Sequence, residues 1–129
     1  MIEADPEDAN LTNANLTGVN VAGVWMRCAR LGDAKLHNAK LSGAILGSVH
    51  LSEANLSGAN LSGADLTGAL LEYVGLSVAD LSHADLSGEE LSGTHLFHAN
   101  LTGTNLIRPN LSVAVSHTHL RAPAPPRHP

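Results

Sequence analysis

The sequence predicts an all-β solenoid, a narrow coil with short sides wound around an apolar interior. Three observations carry this. A five-residue phrase, A-(N/D)-L-(S/T)-G, runs three times without a break in ANLSGANLSGADLTGA, from Ala54 to Ala69. The phrase holds its phase: from Leu11 a central residue recurs every five positions through Leu111, in twenty-one units, nineteen of them centred on Leu and two on Val21 and Met26. The residue two before each centre is Ala or Val in seventeen of those units.

A period of five suits neither regular element. On an α-helix successive residues advance about 100°, so leucines five apart scatter around the cylinder and leave no apolar stripe. In a continuous strand side chains alternate faces, so every second leucine would point away from the core. The phase becomes rational if the chain turns a corner about every five residues, because each leucine then points inward from a new direction.

Within the repeat the two apolar positions are the inward ones, and Ala54, Leu56, Ala59, Leu61, Ala64 and Leu66 make up the most regular part of the expected core. The residue between them is Asn or Asp in eleven units and the one after the centre is Ser or Thr in thirteen. These polar residues face outward or cap corners, and Gly after Ser or Thr eases the bend. Inward positions are less regular late in the chain, where Glu89, Thr94, Thr104 and Pro109 replace Ala or Val. A carboxylate in an apolar channel is costly unless paired or protonated, so a bulge that carries Glu89 to solvent is the expectation there.

These residues resemble the pentapeptide-repeat proteins, whose A-(D/N)-L-x-x consensus is matched from Ala9 to Val113. The resemblance implies a right-handed quadrilateral β-helix with four units per coil, and so about five coils in all. Residues 1–8 are then an N-terminal segment too short for a substantial capping helix, and 9–113 the β-helix. Residues 114–120, AVSHTHL, leave the phase yet keep apolar residues and read as a C-terminal cap or the contact of a homodimer. Residues 121–129, RAPAPPRHP, read as a disordered Pro-rich tail.

Composition bounds the function. The 129 residues suit one domain, and the three aromatics, Trp25, Tyr73 and Phe97, are too few for an ordinary globular core but adequate for stacked repeats. Cys28 is the single cysteine, which excludes an intramolecular disulfide. The acidic start, MIEADPEDAN, does not read as a secretory leader, and no apolar run approaches a membrane span, so the expectation is a cytoplasmic protein. With no nucleophile elbow, phosphate loop or His-Glu-x-x-His interrupting the phrase, neither an enzyme nor a cofactor is expected.

With four units per coil, residues twenty apart stack, and outward positions sort into columns. One column gathers Trp25, Ile45, Asp65, Asp85 and Asn105. Trp25 above Ile45 is an apolar pair on a polar surface, as is Phe97 with Ile107 near the other end, and such breaks mark partner contacts. Four histidines, His95 with His98 and His117 with His119, invite a metal reading. Two ligands do not make a site, so none is expected. A column of Ser42, Ser62, Ser82 and Thr102 forms a hydroxyl ladder that could suit an ice surface, but corner-lining hydroxyls are the plainer reading.

Charge divides along the rod, with Arg27, Arg30, Lys35 and Lys40 early and Asp65, Glu72, Asp80, Asp85, Glu89 and Glu90 late. A net charge of −5 argues against nucleic acid as a direct ligand. The resemblance raises a converse possibility, since some family members imitate duplex DNA and bind DNA gyrase in its place. Asp65, Asp80 and Asp85 are the acids such mimicry would use. The leading expectation is a non-enzymatic repeat scaffold that binds an unidentified protein through Trp25 and Ile45 or through Phe97 and Ile107. Gyrase-directed DNA mimicry is the runner-up.

Overall fold

The computed structural model describes residues 7–87 and 91–106. Its backbone repeats in parallel register every twenty residues: Asn10 pairs with Arg30, Arg30 with His50, and His50 with Leu70. Since the sequence repeats every five, one circuit of the coil has four sides. The residue before each centre is the one in β-bridge register, so each side is a single bridging residue flanked by turns rather than an extended strand. Numbered by their bridging columns, the first side carries Asn10, Arg30, His50 and Leu70, and the second Asn15, Lys35, Asn55, Gly75 and His95. The third carries Asn20, Lys40, Asn60, Asp80 and Asn100, and the fourth Trp25, Ile45, Asp65, Asp85 and Asn105.

Backbone hydrogen bonds explain how so slender a body satisfies its polar groups. The amide of Leu11 donates to the Arg30 carbonyl at 2.7 Å, and the amide of Arg30 donates back to Ala9 at 2.8 Å. The corner joins in, with Asn13 N–H donating to Gly32 O at 2.9 Å, and closes on itself through Ala14 N–H to Leu11 O at 3.0 Å. That last bond closes a four-residue turn whose third residue has positive φ, as in a type II turn. All nineteen described residues at this corner position have positive φ, although eleven of them are not glycine. Glycine eases the corner as the sequence suggests, but the coil imposes the left-handed geometry on whatever residue stands there.

The core is the inward pair of each unit. Ala54, Leu56, Ala59, Leu61, Ala64 and Leu66 are each 1% exposed or less, and full burial of a leucine contributes about 1.5–3 kcal/mol relative to exposure. Ala is small enough to sit where neighbouring sides converge, and Leu fills what remains. At the described N-terminal end, Leu11, Leu16, Val19 and Val21 are only half-buried. They ring the mouth of an apolar cavity of about 190 Å³ that reaches inward past Leu31 and Leu36 to Leu51. Turn geometry is already present at Asp8, whose amide donates to Arg27 O at 3.1 Å in the register Asn13 uses with Gly32.

Late in the chain the register persists to Asn105, paired with Asp85. The two described substitutions at inward positions are absorbed by hydrogen bonding. Buried Thr94 donates its hydroxyl to Leu71 O at 2.9 Å, and Thr104 donates to Leu81 O at 2.6 Å. Each carbonyl already accepts an amide, from Val74 and Ala84 respectively, so its second lone pair satisfies a hydroxyl that would otherwise be buried at a cost. Glu89, Pro109, the cap or dimer contact at 114–120 and the tail at 121–129 lie outside the described residues. Among the described residues no helix is long and apolar enough to cross a membrane.

Candidate protein-interaction surface

Outward side chains come from the bridging position and from the two corner positions. At the bridging position Asn and Asp cap the following turn. Asn55 Oδ1 accepts the Ser57 amide at 3.0 Å and its hydroxyl at 2.7 Å, and Asn60 does the same for Ser62. The acids behave alike: Asp80 accepts from Ser82 and Asp85 from Ser87, while Asp65 accepts from the Thr67 amide and hydroxyl. Asp65 and Asp85 are direct neighbours in the fourth column and Asp80 stands around the corner on the third. Each spends one oxygen on its own turn, which accounts for why Asn and Asp alternate here.

The apolar residues do not follow this rule. Trp25 is in bridge register with Ile45, and the Trp is 62% exposed with Ile45 half-buried beside it. Phe97 is exposed, and its ring meets that of His98 edge-on at 4.0 Å between centroids. Ile107, its sequence-predicted companion, lies outside the described residues. Three further apolar residues are exposed, Leu70, Tyr73 and Val78. Leu70 occupies a bridging position, whereas Tyr73 and Val78 stand at left-handed corners, φ +57° and +62°. A β-branched residue there is a genuine outlier, so Val78 holds exposed apolar surface at a backbone cost. Its signal in the sequence is that, of the nineteen described residues at this corner position, Val78 alone is β-branched.

The coil brings three of these residues to one wall. Tyr73 stands at the corner leading into the second side and Val78 at the corner leaving it. Phe97 joins them from the next circuit, because Val78 N–H donates to Phe97 O at 2.8 Å. Between the corners the bridging residue is Gly75, stacked under His95. A Cβ at Gly75 would meet nothing nearer than Asn55 Oδ1 at 3.7 Å, so the missing side chain leaves a notch that packing does not demand. Toward the N-terminal end the same wall holds a shallow depression of about 420 Å³, lined by His37, Asn38, Asn55, Ser57, Ser77 and Val78 among others. His37 Nε2 lies 3.3 Å from Thr17 Oγ1, while its Nδ1 is enclosed without a partner.

The remaining candidates do not converge. His95 occupies a bridging position and His98 a corner, His117 and His119 lie outside the described residues, and no metal-holding cluster occurs among the described ones. In the hydroxyl column Ser62 and Ser82 donate to Asn60 and Asp80 at 2.7 Å, so their protons serve the corners. Cys28 is exposed at another left-handed corner, φ +62°.

A family model for pentapeptide repeats matches the chain in eight copies, over residues 1–27, 34–72 and 76–112. Among solved structures, a pentapeptide repeat protein from the cyanobacterium Cyanothece 51142 is 34% identical, with a TM-score of 0.68 over 70% of this chain and 62% of that one. The chain therefore spans somewhat less than two thirds of that relative. A pentapeptide repeat protein of the Arabidopsis thaliana thylakoid lumen is 25% identical, with a TM-score of 0.59 over 80% of this chain and 69% of that one. QnrB1, a plasmid-mediated fluoroquinolone resistance protein, is 21% identical with a TM-score of 0.55 over 80% of this chain and 63% of that one, a likeness of fold alone. No curated protein is matched.

Proposed function

Because the chain belongs to the pentapeptide-repeat family, we propose that it is a non-catalytic scaffold that binds another protein against the second side of its coil. The observation that carries this is the grouping of Tyr73, Val78 and Phe97 around Gly75, exposed apolar side chains on a wall whose other outward residues are polar. Val78 strengthens it, since a β-branched, exposed apolar residue stands at a corner whose left-handed backbone suits glycine or a short polar residue better. The notch at Gly75 gives an incoming side chain a place between aromatic and aliphatic neighbours, the kind of pocket in which interface energy concentrates. Trp25 beside Ile45 is a second, smaller contact on the fourth side.

The test is affinity capture from the source cell's lysate with the intact protein, Gly75→Lys, Phe97→Glu and Trp25→Glu, each first shown to unfold at the unaltered midpoint. Loss of one specific protein with Gly75→Lys and Phe97→Glu, but not with Trp25→Glu, is the expected result. Unchanged retention in the first two variants would remove the second side from consideration.

A second reading rests on the acid column, in which Asp65 and Asp85 repeat at the spacing of one circuit. That reading is gyrase-directed DNA mimicry. Asp65→Asn, Asp80→Asn and Asp85→Asn together should keep the turns capped, as Asn60 does, while removing the charge. Inhibition of gyrase supercoiling by the intact protein, relieved in this triple variant, would support it; no inhibition by the intact protein would dismiss it.

A further inference from the structure

The third side carries an arrangement with a two-fold character. Its bridging column reads Asn20, Lys40, Asn60, Asp80, Asn100 from one end to the other. About Asn60 as centre, the positions on either side hold a lysine and an aspartate, and the outermost positions hold two asparagines. If a second copy is laid on this side with its rod running the opposite way, and the two-fold axis passes at the level of Asn60, every charged residue of the column faces an opposite charge. Lys40 faces Asp80 of the other copy, Asp80 faces its Lys40, and Asn60 faces Asn60. The other three columns lack this property: the first runs through Arg30 and His50 to Leu70, the second has Lys35 opposite Gly75, and the fourth would put Ile45 against Asp85.

The local structure lets two such walls approach. The residues beside the column are Ala22, Ser42, Ser62, Ser82 and Thr102, and the corner beyond them is Gly23, Gly43, Gly63, His83 and Gly103. A Cβ built on Gly23, Gly43 or Gly63 would meet nothing within 4 Å, so the edge is open along those three circuits, and His83 leans over Gly103 beyond them. The serine hydroxyls at 62 and 82 lie tied to Asn60 and Asp80 at 2.7 Å. The same bonds fix the rotamers of Asn60 and Asp80, which lowers the ordering cost of a contact. Capping uses Oδ1 of each residue and leaves the Asn60 amide NH₂ and the second Asp80 oxygen for a partner. Lys40 can therefore donate to Asp80 across the contact, while Asn60, whose Oδ1 already accepts two protons from Ser62, places an uncharged group on the axis.

We propose that the third side is an isologous, antiparallel contact between two copies of this chain, organised by two reciprocal Lys40 to Asp80 pairs around Asn60. A closed two-fold contact of this kind requires one self-complementary patch and no second surface. It is polar, so charge sets its register more than its strength. It is distinct from the apolar wall on the second side and from any contact at the C-terminal end.

The experiment is sedimentation velocity of the full chain from about 10 µM to 1 mM at low and high salt, with Lys40→Asp, Asp80→Lys, the double exchange, and Asn60→Asp. Asp at position 60 should preserve the cap, as it does at 65, 80 and 85, and a matching unfolding midpoint checks that each variant folds. The expected result is a salt-sensitive dimer weakened about tenfold by either single exchange, since both pairs become like-charged. It should be restored by the double exchange and weakened by Asn60→Asp, which sets two carboxylates on the axis. A chain that stays monomeric throughout would overturn the proposal, as would a dimer indifferent to Lys40 and Asp80. Phe97→Glu should leave the dimer unchanged, which separates this surface from the one proposed for partner binding.

Discussion

The ring of Tyr73 lies over Gly93, one circuit further along the same corner, so closely that a Cβ built on Gly93 would stand 2.6 Å from Tyr73 Cε1. The same relation recurs where His83 covers Gly103 and Asn38 covers Gly58. A large residue at a left-handed corner thus leans on the next corner, and glycine there makes room.

Gly93→Ala should therefore cost about 1–3 kcal/mol, part from holding Ala at positive φ and part from displacing the ring. In a Tyr73→Ala background the cost should fall to about 1 kcal/mol, the backbone part alone. Urea unfolding of the four proteins measures this; additive effects would show that the ring does not press on Gly93.

Val78→Gly should stabilise the protein by about 1 kcal/mol, because it relieves a β-branched residue of left-handed strain at an exposed site. A rise of a few degrees in Tm is expected, with weaker partner capture if the second side binds as proposed. A lower Tm would mean that the Val78 side chain contributes packing that outweighs the strain.

Leu61→Ala, deep in the coil, should cost about 2–5 kcal/mol, since the rigid backbone ladder on all four sides cannot collapse into the cavity. Leu11→Ala should cost less than half as much, because Leu11 already sits half-buried at the mouth of the coil. Equal losses would show that the mouth is as well covered as the middle.

Thr94→Val should change stability by no more than about 1 kcal/mol. The two side chains are nearly the same shape, and Leu71 O keeps the Val74 amide at 3.2 Å, so no acceptor is left unmade. A loss above about 2 kcal/mol would show that the hydroxyl, rather than its volume, holds that circuit in register.

Much of the candidate surface is legible in residue spacing, and the part that is not has a definite cause. Stacking by twenty is enough to place Trp25 beside Ile45 and Asp65 beside Asp85. Tyr73 and Val78 escape it because stacking sorts the bridging positions into columns, whereas these two stand at corners. Corner residues look like tolerated departures from glycine until the backbone shows that each projects outward, and that Val78 and Phe97 are joined by an amide hydrogen bond. Thr94 and Thr104 look like irregularity because a sequence does not show which carbonyls have a spare lone pair.

By itself the sequence determined the period, the inward pair of each unit and the short sides, because a five-residue phase with two apolar positions can bury them only in a coil. The tertiary structure decided which outward residues share a wall and how each corner is built. Those depend on backbone pairing between residues twenty apart and on a left-handed turn that the ladder of neighbouring circuits imposes whether or not glycine is present.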